Sequence, residues 1–265
     1  MKAIILAAGM GTRMGPYTKD RPKCMLSFNG KTLFERQIAA LQQAGIEDLV
    51  VVRGYQRQAF TLVGLTYCDN PEFATTNMVM SLLCAREHLL SAKEGCVVSY
   101  GDIIYEPRLV QALLNGKGAV RVLVDTDWID LWKSRSAIWH EDVESLQFDA
   151  TGRIFEIGTP KASLKTAMAR YIGLLYFSPE GIRELIKAFD ELLLAHKDSS
   201  LPWRRSRSFR QGYMTCMLQE LVDRGVLVQS VPVAHGWLEF DTAEDLEQYL
   251  KLDAKGSLKR FICQN

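Results

Sequence analysis

The chain has 265 residues and a formal net charge of +1, so its charge gives no electrostatic reason to expect a nucleic-acid partner. Hydrophobic residues make up 48% of the sequence and charged residues 24%, which is typical of a globular protein. No apolar stretch approaches the length of a membrane span, and the chain length predicts one domain or a domain with an appendage.

In the first half of the chain, apolar runs alternate with helical patterns. Strands are predicted at Ala3–Ala8, Asp48–Arg53, Leu65–Cys68 and Cys96–Tyr100, and helices at Leu33–Ala44 and Asn77–Leu90. This alternation predicts an α/β fold of Rossmann-like type, a mostly parallel sheet sandwiched by helices. Ligands of such sheets bind beyond the carboxyl ends of the strands.

The second half of the chain is more mixed. Strands are predicted at Val120–Val124, Ser145–Phe148, Ile154–Ile157, Tyr171–Phe177 and Leu227–Val231, and helices at Pro179–His196, Gly212–Arg224 and Ala243–Leu252. No linker rich in Pro, Gly or Ser divides the chain. We therefore expect a single domain over residues 1–254, with a small substrate-side lobe at residues 125–170 and 200–215. Residues 255–265 are expected to form a loose C-terminal tail.

Six cysteines are spread along the chain, and none are paired at C-x-x-C spacing. The sequence therefore contains neither a zinc knuckle nor a redox motif, and the cysteines are expected to be reduced thiols. The apolar segment Ala3–Ala8 is too short for a signal peptide and lacks a cleavage pattern. These features predict a cytoplasmic protein with no membrane and no nucleic-acid partner.

The most informative feature is the glycine-rich loop that follows the first strand and ends in Pro22–Lys23. Gly9 and Gly11 let the backbone approach a ligand closely, and successive N–H groups in such a loop bind anions. Arg13 offers a planar fork of donors, and Lys23 a compact positive charge. Two cations beside one polyphosphate suit a reaction in which charge builds up on phosphoryl oxygens.

Two other glycine loops are excluded by spacing. A dinucleotide loop needs G-x-G-x-x-G, but Met14 stands at the third glycine position and Gly15 falls one residue late. The phosphate loop G-x-x-x-x-G-K-[ST] is absent. The remaining alternative is a tight turn after a strand, which does not account for Arg13 and Lys23.

The loop resembles the signature of the sugar-nucleotide-type nucleotidyltransferases. Within that superfamily the chain is most similar to small cytidylyltransferases that act on phosphocholine, aminoalkyl phosphonates or related small phosphorylated acceptors. The resemblance is carried by Leu6–Arg13, Thr18 and Pro22–Lys23, and then by Thr76–Leu82, Ser99–Asp102, Tyr171–Leu174 and Trp237–Thr242. It covers most of the chain, up to the helix near Tyr249.

This resemblance implies a Mg²⁺ ion held by Asp102 and Asp241, because magnesium prefers a few carboxylates together with phosphate oxygens. Lys23 and Arg13 are the predicted catalytic residues. The predicted nucleotide-binding residues are Leu6, Ala8, Gly9, Gly11, Thr12, Asn77 and Ser81. Simpler alternatives remain open: Asp102 as a turn residue, Asp241 as a strand end, and Asn77 as a helix cap.

The predicted acceptor site combines acids with aromatic rings, which suits a cationic amine or quaternary ammonium group. Its residues are Tyr105, Asp125, Trp128, Arg135, Tyr171 and Glu239. The tryptophans could instead be packing residues. A small zwitterion is expected, and phosphocholine, 2-aminoethylphosphonate, a hydroxyalkyl phosphonate and a phosphorylated amide all remain open.

The resulting hypothesis is Mg²⁺-dependent transfer of a nucleotidyl group, with CTP as the donor that the resemblance favours and pyrophosphate as the product. A hexose 1-phosphate nucleotidyltransferase is the alternative on the same fold. A nicotinamide-dependent oxidoreductase and a non-catalytic nucleotide sensor are the alternatives of other classes. The sequence leaves a homodimer open.

Overall fold

A computed structural model describes residues 1–196 and 200–263 of the chain. Its strands are β1 (Lys2–Ala7), β2 (Ser27–Phe28), β3 (Lys31–Thr32), β4 (Asp48–Arg53), β5 (Thr66–Asp69), β6 (Cys96–Tyr100), β7 (Ile103–Tyr105), β8 (Val120–Asp125), β9 (Glu144–Phe148), β10 (Ile154–Pro160), β11 (Arg170–Phe177), β12 (Val228–Val233) and β13 (Trp237–Glu239). Its α-helices are α1 (Leu33–Gln43), α2 (Met78–Cys84), α3 (Arg86–Leu90), α4 (Pro107–Asn115), α5 (Trp128–Arg135), α6 (Pro179–Ala195), α7 (Met214–Asp223) and α8 (Ala243–Ala254).

Within the described residues, the main sheet has seven strands in the order β12-β8-β11-β6-β1-β4-β5. Strand β1 pairs in parallel with β4 on one side and β6 on the other. Only β11 runs antiparallel to its neighbours, β6 and β8. The sheet is therefore mostly parallel, as the sequence predicted, and the carboxyl ends of β1, β4 and β6 share one edge.

Alternate residues of β1 belong to two different hydrophobic clusters, which places the strand between two helical layers. Ala3 and Ile5 pack in the cluster that contains residues of α1, α4 and α8. Ile4 and Leu6 pack in the cluster that contains residues of α2, α6 and α7. A strand buried on both faces reads as a continuous apolar run, which is why β1 was recognisable from sequence.

Helix caps account for several of the observed boundaries. Thr32 and Glu35 form a capping box at the start of α1, and Thr242 and Asp245 form another at the start of α8. The Ser178 hydroxyl accepts a hydrogen bond from the Gly181 N–H at the start of α6. These observations confirm the predicted starts of α6 and α8.

Several elements differ from the prediction, including the short strands β2, β3 and β7, which were not predicted. The helix expected over Asn77–Leu90 is divided into α2 and α3, because the chain leaves helical geometry at the buried residue Ala85. Helices α4 and α5 were not predicted at all. The glycine-rich loop opens no α-helix, in agreement with the prediction, but Thr12–Thr18 forms a 3₁₀ turn with a break at Gly15.

The expected substrate-side lobe contains the antiparallel hairpin of β9 and β10. The expected loose tail packs against the protein, since Leu258, Phe261 and Ile262 are buried. Residues 264 and 265 of that tail lie outside the described residues. Across the described ranges, no helix combines the length and the hydropathy needed to span a membrane.

Candidate active site

The glycine-rich loop leaves β1 at the carboxyl edge of the sheet and turns at Gly11. Gly11 has φ 63° and ψ 38°, a left-handed conformation that favours glycine. A Cβ atom at this position would lie 2.9 Å from the Cβ of Lys23. The Thr18 hydroxyl donates a hydrogen bond to the Gly11 carbonyl oxygen at 2.8 Å. Gly11 therefore lets the lysine pass close to the first turn of the loop.

A cavity of about 230 Å³ lies at this edge of the sheet. Its lining includes every residue predicted to bind nucleotide, to bind metal or to act in catalysis: Leu6, Ala8, Gly9, Gly11, Thr12, Arg13, Lys23, Asn77, Ser81, Asp102 and Asp241. The structure thus brings together residues from the two ends of the sequence, Leu6 and Asp241.

Two cations and two carboxylates meet on one side of this cavity. Lys23 Nζ lies 2.8 Å from Asp102 Oδ2 and 3.2 Å from Asp241 Oδ1. Arg13 Nη1 lies 2.6 Å from Asp241 Oδ2. The Lys23 side chain is only 12% exposed, whereas that of Arg13 is 71% exposed. Lys23 is therefore a buried charge that lines the cavity, and Arg13 is an exposed charge that lines it.

Burial and charged neighbours together determine the pKa values of Lys23 and Asp241. Burial alone would lower the pKa of Lys23, but Asp102 and Asp241 outweigh burial and raise it above the ordinary value. Burial and the nearby Glu239 carboxylate raise the pKa of Asp241, against the opposing effect of Lys23 and Arg13. The lysine is therefore positively charged at neutral pH, and it is paired with both Asp102 and Asp241.

Residues 3–153, more than half of the chain, match the model of the MobA-like NTP transferase domain. The chain belongs to the MobA-like NTP transferase family. Its α/β fold agrees with that membership, and Arg13 and Lys23 both line its cavity.

Two relatives and one solved structure similar to this chain are named as cytidylyltransferases. The chain is 36% identical to the CTP:phosphoglutamine cytidylyltransferase of Campylobacter jejuni, over 93% of this chain and 98% of that protein. It is 30% identical to the 2-aminoethylphosphonate cytidylyltransferase of Lancefieldella rimae, over 70% of each chain. The solved structure of a CTP:phosphocholine cytidylyltransferase from Streptococcus pneumoniae superposes with a TM-score of 0.70 and 21% identity, over 96% of this chain and 98% of that one.

The acidic residues of this NTP transferase fit a magnesium ion that takes its other ligands from phosphate oxygens and water. Asp102 and Asp241 converge on one point, the Lys23 Nζ atom. No cluster of three or more His, Cys, Asp or Glu suited to a metal occurs among the residues that the structure describes. Two carboxylates without a full protein cage are the donor set expected for Mg²⁺ bound together with a nucleotide.

The start of α2 borders the same cavity and carries two of the predicted nucleotide-binding residues. Asn77 Oδ1 accepts a hydrogen bond from the Met78 N–H at 2.8 Å, so Asn77 does cap the helix. The Ser81 hydroxyl accepts a hydrogen bond from the buried Asn70 side chain at 3.0 Å. Sequence reasoning missed Asn70, which holds Ser81 in place, and it missed Phe73, which forms part of the cavity wall.

The structure contradicts three of the predicted acceptor contacts. Asp125 is fully buried, and its carboxylate accepts a hydrogen bond from Trp237 Nε1 at 2.8 Å. Trp128 is 2% exposed and packs in the core. Tyr105 is 4% exposed, and its hydroxyl donates to the Ser99 hydroxyl. Their side chains face the core, so these residues cannot touch an acceptor.

Arg135 also has a different role from the predicted phosphate contact. Its Nε and Nη2 atoms bind the Asp245 carboxylate at 2.8 and 2.9 Å, and Nη1 binds Glu239 at 2.7 Å. The same Asp245 carboxylate accepts a hydrogen bond from the Asp241 N–H at 2.9 Å. Arg135 therefore holds the cap of α8, and the cap in turn positions Asp241. Of the predicted acceptor residues, Tyr171 packs against Tyr100, which lines the cavity, and Glu239 acts electrostatically on Lys23.

Replacing Arg135 with methionine is expected to lower the free energy of unfolding by about 3–5 kcal/mol, because Asp245 and Glu239 would lose the cation that neutralises them in the interior. Urea denaturation measures this change. Arg260 provides the matched control, because its ion pair with Asp130 is exposed on both sides, and its replacement with methionine should cost less than about 1 kcal/mol. Equal losses in the two variants would show that Arg135 has no special structural role.

Replacing Gly11 with alanine is expected to lower stability by about 1–2 kcal/mol through the left-handed backbone, and to lower kcat/KM for the triphosphate because the new Cβ displaces Lys23. Gly225 separates the two effects. It has φ 81°, and a Cβ there would meet no atom within 4 Å, so Gly225→Ala should lower stability and leave kcat/KM unchanged. Thermal unfolding and steady-state kinetics on both variants test this difference.

Proposed function

We propose that this protein transfers CMP from CTP to a small phosphate or phosphonate acceptor in a Mg²⁺-dependent reaction that releases pyrophosphate. The observation that carries the proposal is the meeting of Lys23, Arg13, Asp102 and Asp241 around one cavity at the end of the glycine-rich loop. Similarity to the phosphoglutamine and 2-aminoethylphosphonate enzymes supports cytosine as the base and a small phosphorylated acceptor.

In the proposed reaction, an acceptor oxygen attacks the α-phosphorus of CTP. A bond forms between that oxygen and phosphorus, the bond to the β-phosphate bridging oxygen breaks, and pyrophosphate leaves with the electron pair. The attacking phosphate oxygen is already an anion at neutral pH, so the reaction requires no general base. The protein contributes by aligning the acceptor oxygen with the α-phosphorus and by neutralising negative charge on the phosphate groups.

Each group in the cavity then has a role that follows from its position. Lys23, fixed and buried, stabilises the charge on the α-phosphoryl group. Arg13, which is exposed, holds the β- and γ-phosphates together with the N–H groups of the loop. Asp102 and Asp241 would hold a magnesium ion, which when bound neutralises phosphate oxygens of donor and acceptor. The backbone of Ala8 and Gly9 and the side chains at the start of α2, which line the same cavity, would recognise the base.

Pyrophosphate release from a matrix of substrates tests this function. CTP, ATP, GTP and UTP are each paired with phosphocholine, phosphoethanolamine, 2-aminoethylphosphonate, phosphoglutamine and glucose 1-phosphate, with and without Mg²⁺. The proposal expects release with CTP and a zwitterionic acceptor and only in the presence of the metal. Release with glucose 1-phosphate alone would favour a hexose 1-phosphate enzyme instead. The cytoplasmic location and the homodimer remain predictions.

A further inference from the structure

The partly buried carboxylate of Glu144 acts electrostatically on Tyr100, which lines the cavity, and it has no partner of its own among the residues that the structure describes. Glu144 lies at the start of β9, and within the described residues no group donates a hydrogen bond to its carboxylate and no cation lies within ion-pair distance. Burial raises the pKa of Glu144, with the nearby acids Asp142 and Glu239 adding to the effect of burial. A carboxylate that is partly withdrawn from water and has no cation paired with it can bind a positively charged donor at little desolvation cost to itself.

The two nearby arginines are already used elsewhere. Arg170 donates to the Asp142 carbonyl oxygen at 3.0 Å, and its guanidinium lies 4.2 Å from the centre of the Trp132 ring. Arg205 donates to the Ile157 carbonyl oxygen at 2.6 Å. Both arginines lower the pKa of Glu144 through space, yet neither forms an ion pair with it. The protein therefore leaves the Glu144 carboxylate available for a donor from outside.

A second unsatisfied group faces the same region. The Tyr171 hydroxyl oxygen is buried and has no hydrogen-bond partner among the described residues. The Tyr171 phenol lies beside that of Tyr100, and each acts on the pKa of the other. Glu144, Asp102 and Glu239 all act on the Tyr171 hydroxyl. Tyr100 itself lines the nucleotide cavity, and its ring meets that of Tyr171 edge-on at 5.6 Å.

On the basis of the proposed function, we propose that Glu144 and Tyr171 bind a primary ammonium group on the acceptor. An –NH₃⁺ group supplies three N–H donors, enough to satisfy a carboxylate and a phenol oxygen together. A quaternary ammonium group has no N–H and would leave both oxygens unsatisfied. The acceptor is therefore an amine-bearing phosphate, phosphonate or phosphoramide, rather than a choline ester.

The aromatic residues of this region agree with that choice. A quaternary ammonium ion is usually held over the faces of several aromatic rings. Trp128 and Trp132 are 2% and 1% exposed, so their faces are not open to a ligand. The Tyr100 and Tyr171 rings are perpendicular to each other, at 90°. A quaternary ammonium ion would need a cage of open aromatic faces. The site has instead the oxygens of Glu144 and Tyr171, which can accept hydrogen bonds from an –NH₃⁺ group.

Phosphoethanolamine and phosphocholine test the inference directly, because they differ only by three methyl groups on nitrogen. With CTP and Mg²⁺, kcat/KM of the wild-type protein should be at least about tenfold higher for phosphoethanolamine, 2-aminoethylphosphonate or phosphoglutamine than for phosphocholine. Glu144→Gln should reduce that preference by about tenfold to a hundredfold, the range for a hydrogen bond to a charged group. Tyr171→Phe should reduce it severalfold.

The control variant is Glu87→Gln, an exposed acid on α3, for which the preference should not change. Thermal unfolding should show that Glu144→Gln is no less stable than wild type, because it removes an unsatisfied charge. A wild-type preference for phosphocholine, or an unchanged preference in a folded Glu144→Gln variant, would overturn the inference and leave the transferase activity standing. Absence of pyrophosphate release with every acceptor would instead overturn the proposed function.

Discussion

Replacing Lys23 with methionine is expected to lower kcat by about a hundredfold to a thousandfold, the usual cost of removing one group that stabilises transition-state charge. Methionine has a similar length but no charge, so the effect reports the ammonium group. The affinity for CTP should change much less, because Arg13 and the loop N–H groups still contact the triphosphate. Single-turnover kinetics, together with CTP titration monitored by calorimetry, separates the two quantities.

The matched control for this experiment is Lys19→Met. Lys19 belongs to the same loop but is exposed, and its side chain makes no ion pair within the part of the chain that the structure describes. This variant should keep the wild-type kcat. Because Lys23 also separates Asp102 from Asp241, the stability of Lys23→Met must be measured by thermal unfolding. A folded Lys23→Met variant with wild-type turnover would remove the lysine from the mechanism.

Strand β1 of the central sheet and the start of α8 were predictable because the signals that mark them lie within short stretches of sequence. Strand β1 reads as an unbroken apolar run, and Thr242 with Asp245 marks the start of α8 through contacts three residues apart. Helix α4 was missed although Pro107 stands at its first turn, a position that favours proline. Helix α5 was missed because its acids and tryptophans were interpreted as a binding surface.

The acceptor side was less predictable because burial there depends on distant partners. Asp125 looked like a ligand for a cation, but its hydrogen bond comes from Trp237, 112 residues later in the chain. Arg135 looked like a phosphate ligand, but it binds Asp245 and Glu239, both more than 100 residues away. Glu144 belongs to no local motif, and only the folded structure shows that its carboxylate has no partner within residues 1–196 and 200–263. By contrast, the loop residues Gly11 and Lys23 were identifiable because their chemistry lies within a single short motif.

Replacing Asp241 with asparagine is expected to lower kcat/KM by about a hundredfold or more and to raise the Mg²⁺ concentration needed for half-maximal activity by at least about tenfold. Asparagine keeps the size of the side chain but removes one of the two charges that would hold the ion, and hard cations bind charged oxygens in preference. Asp102→Asn should behave in the same way. Activity measured as a function of Mg²⁺ concentration at saturating CTP gives both quantities.

Asp241 also pairs with Lys23 and Arg13, so a loss of activity alone could come from misplaced cations. The shift in metal requirement distinguishes the two explanations, because misplaced cations would lower kcat at every Mg²⁺ concentration. Asp130→Asn is the control: it removes an exposed acid paired with Arg260, and it should alter neither kcat nor the metal requirement. If Asp102→Asn and Asp241→Asn both kept the wild-type dependence on Mg²⁺, the two acids would be anchors for Lys23, and the metal would have to bind through the nucleotide alone.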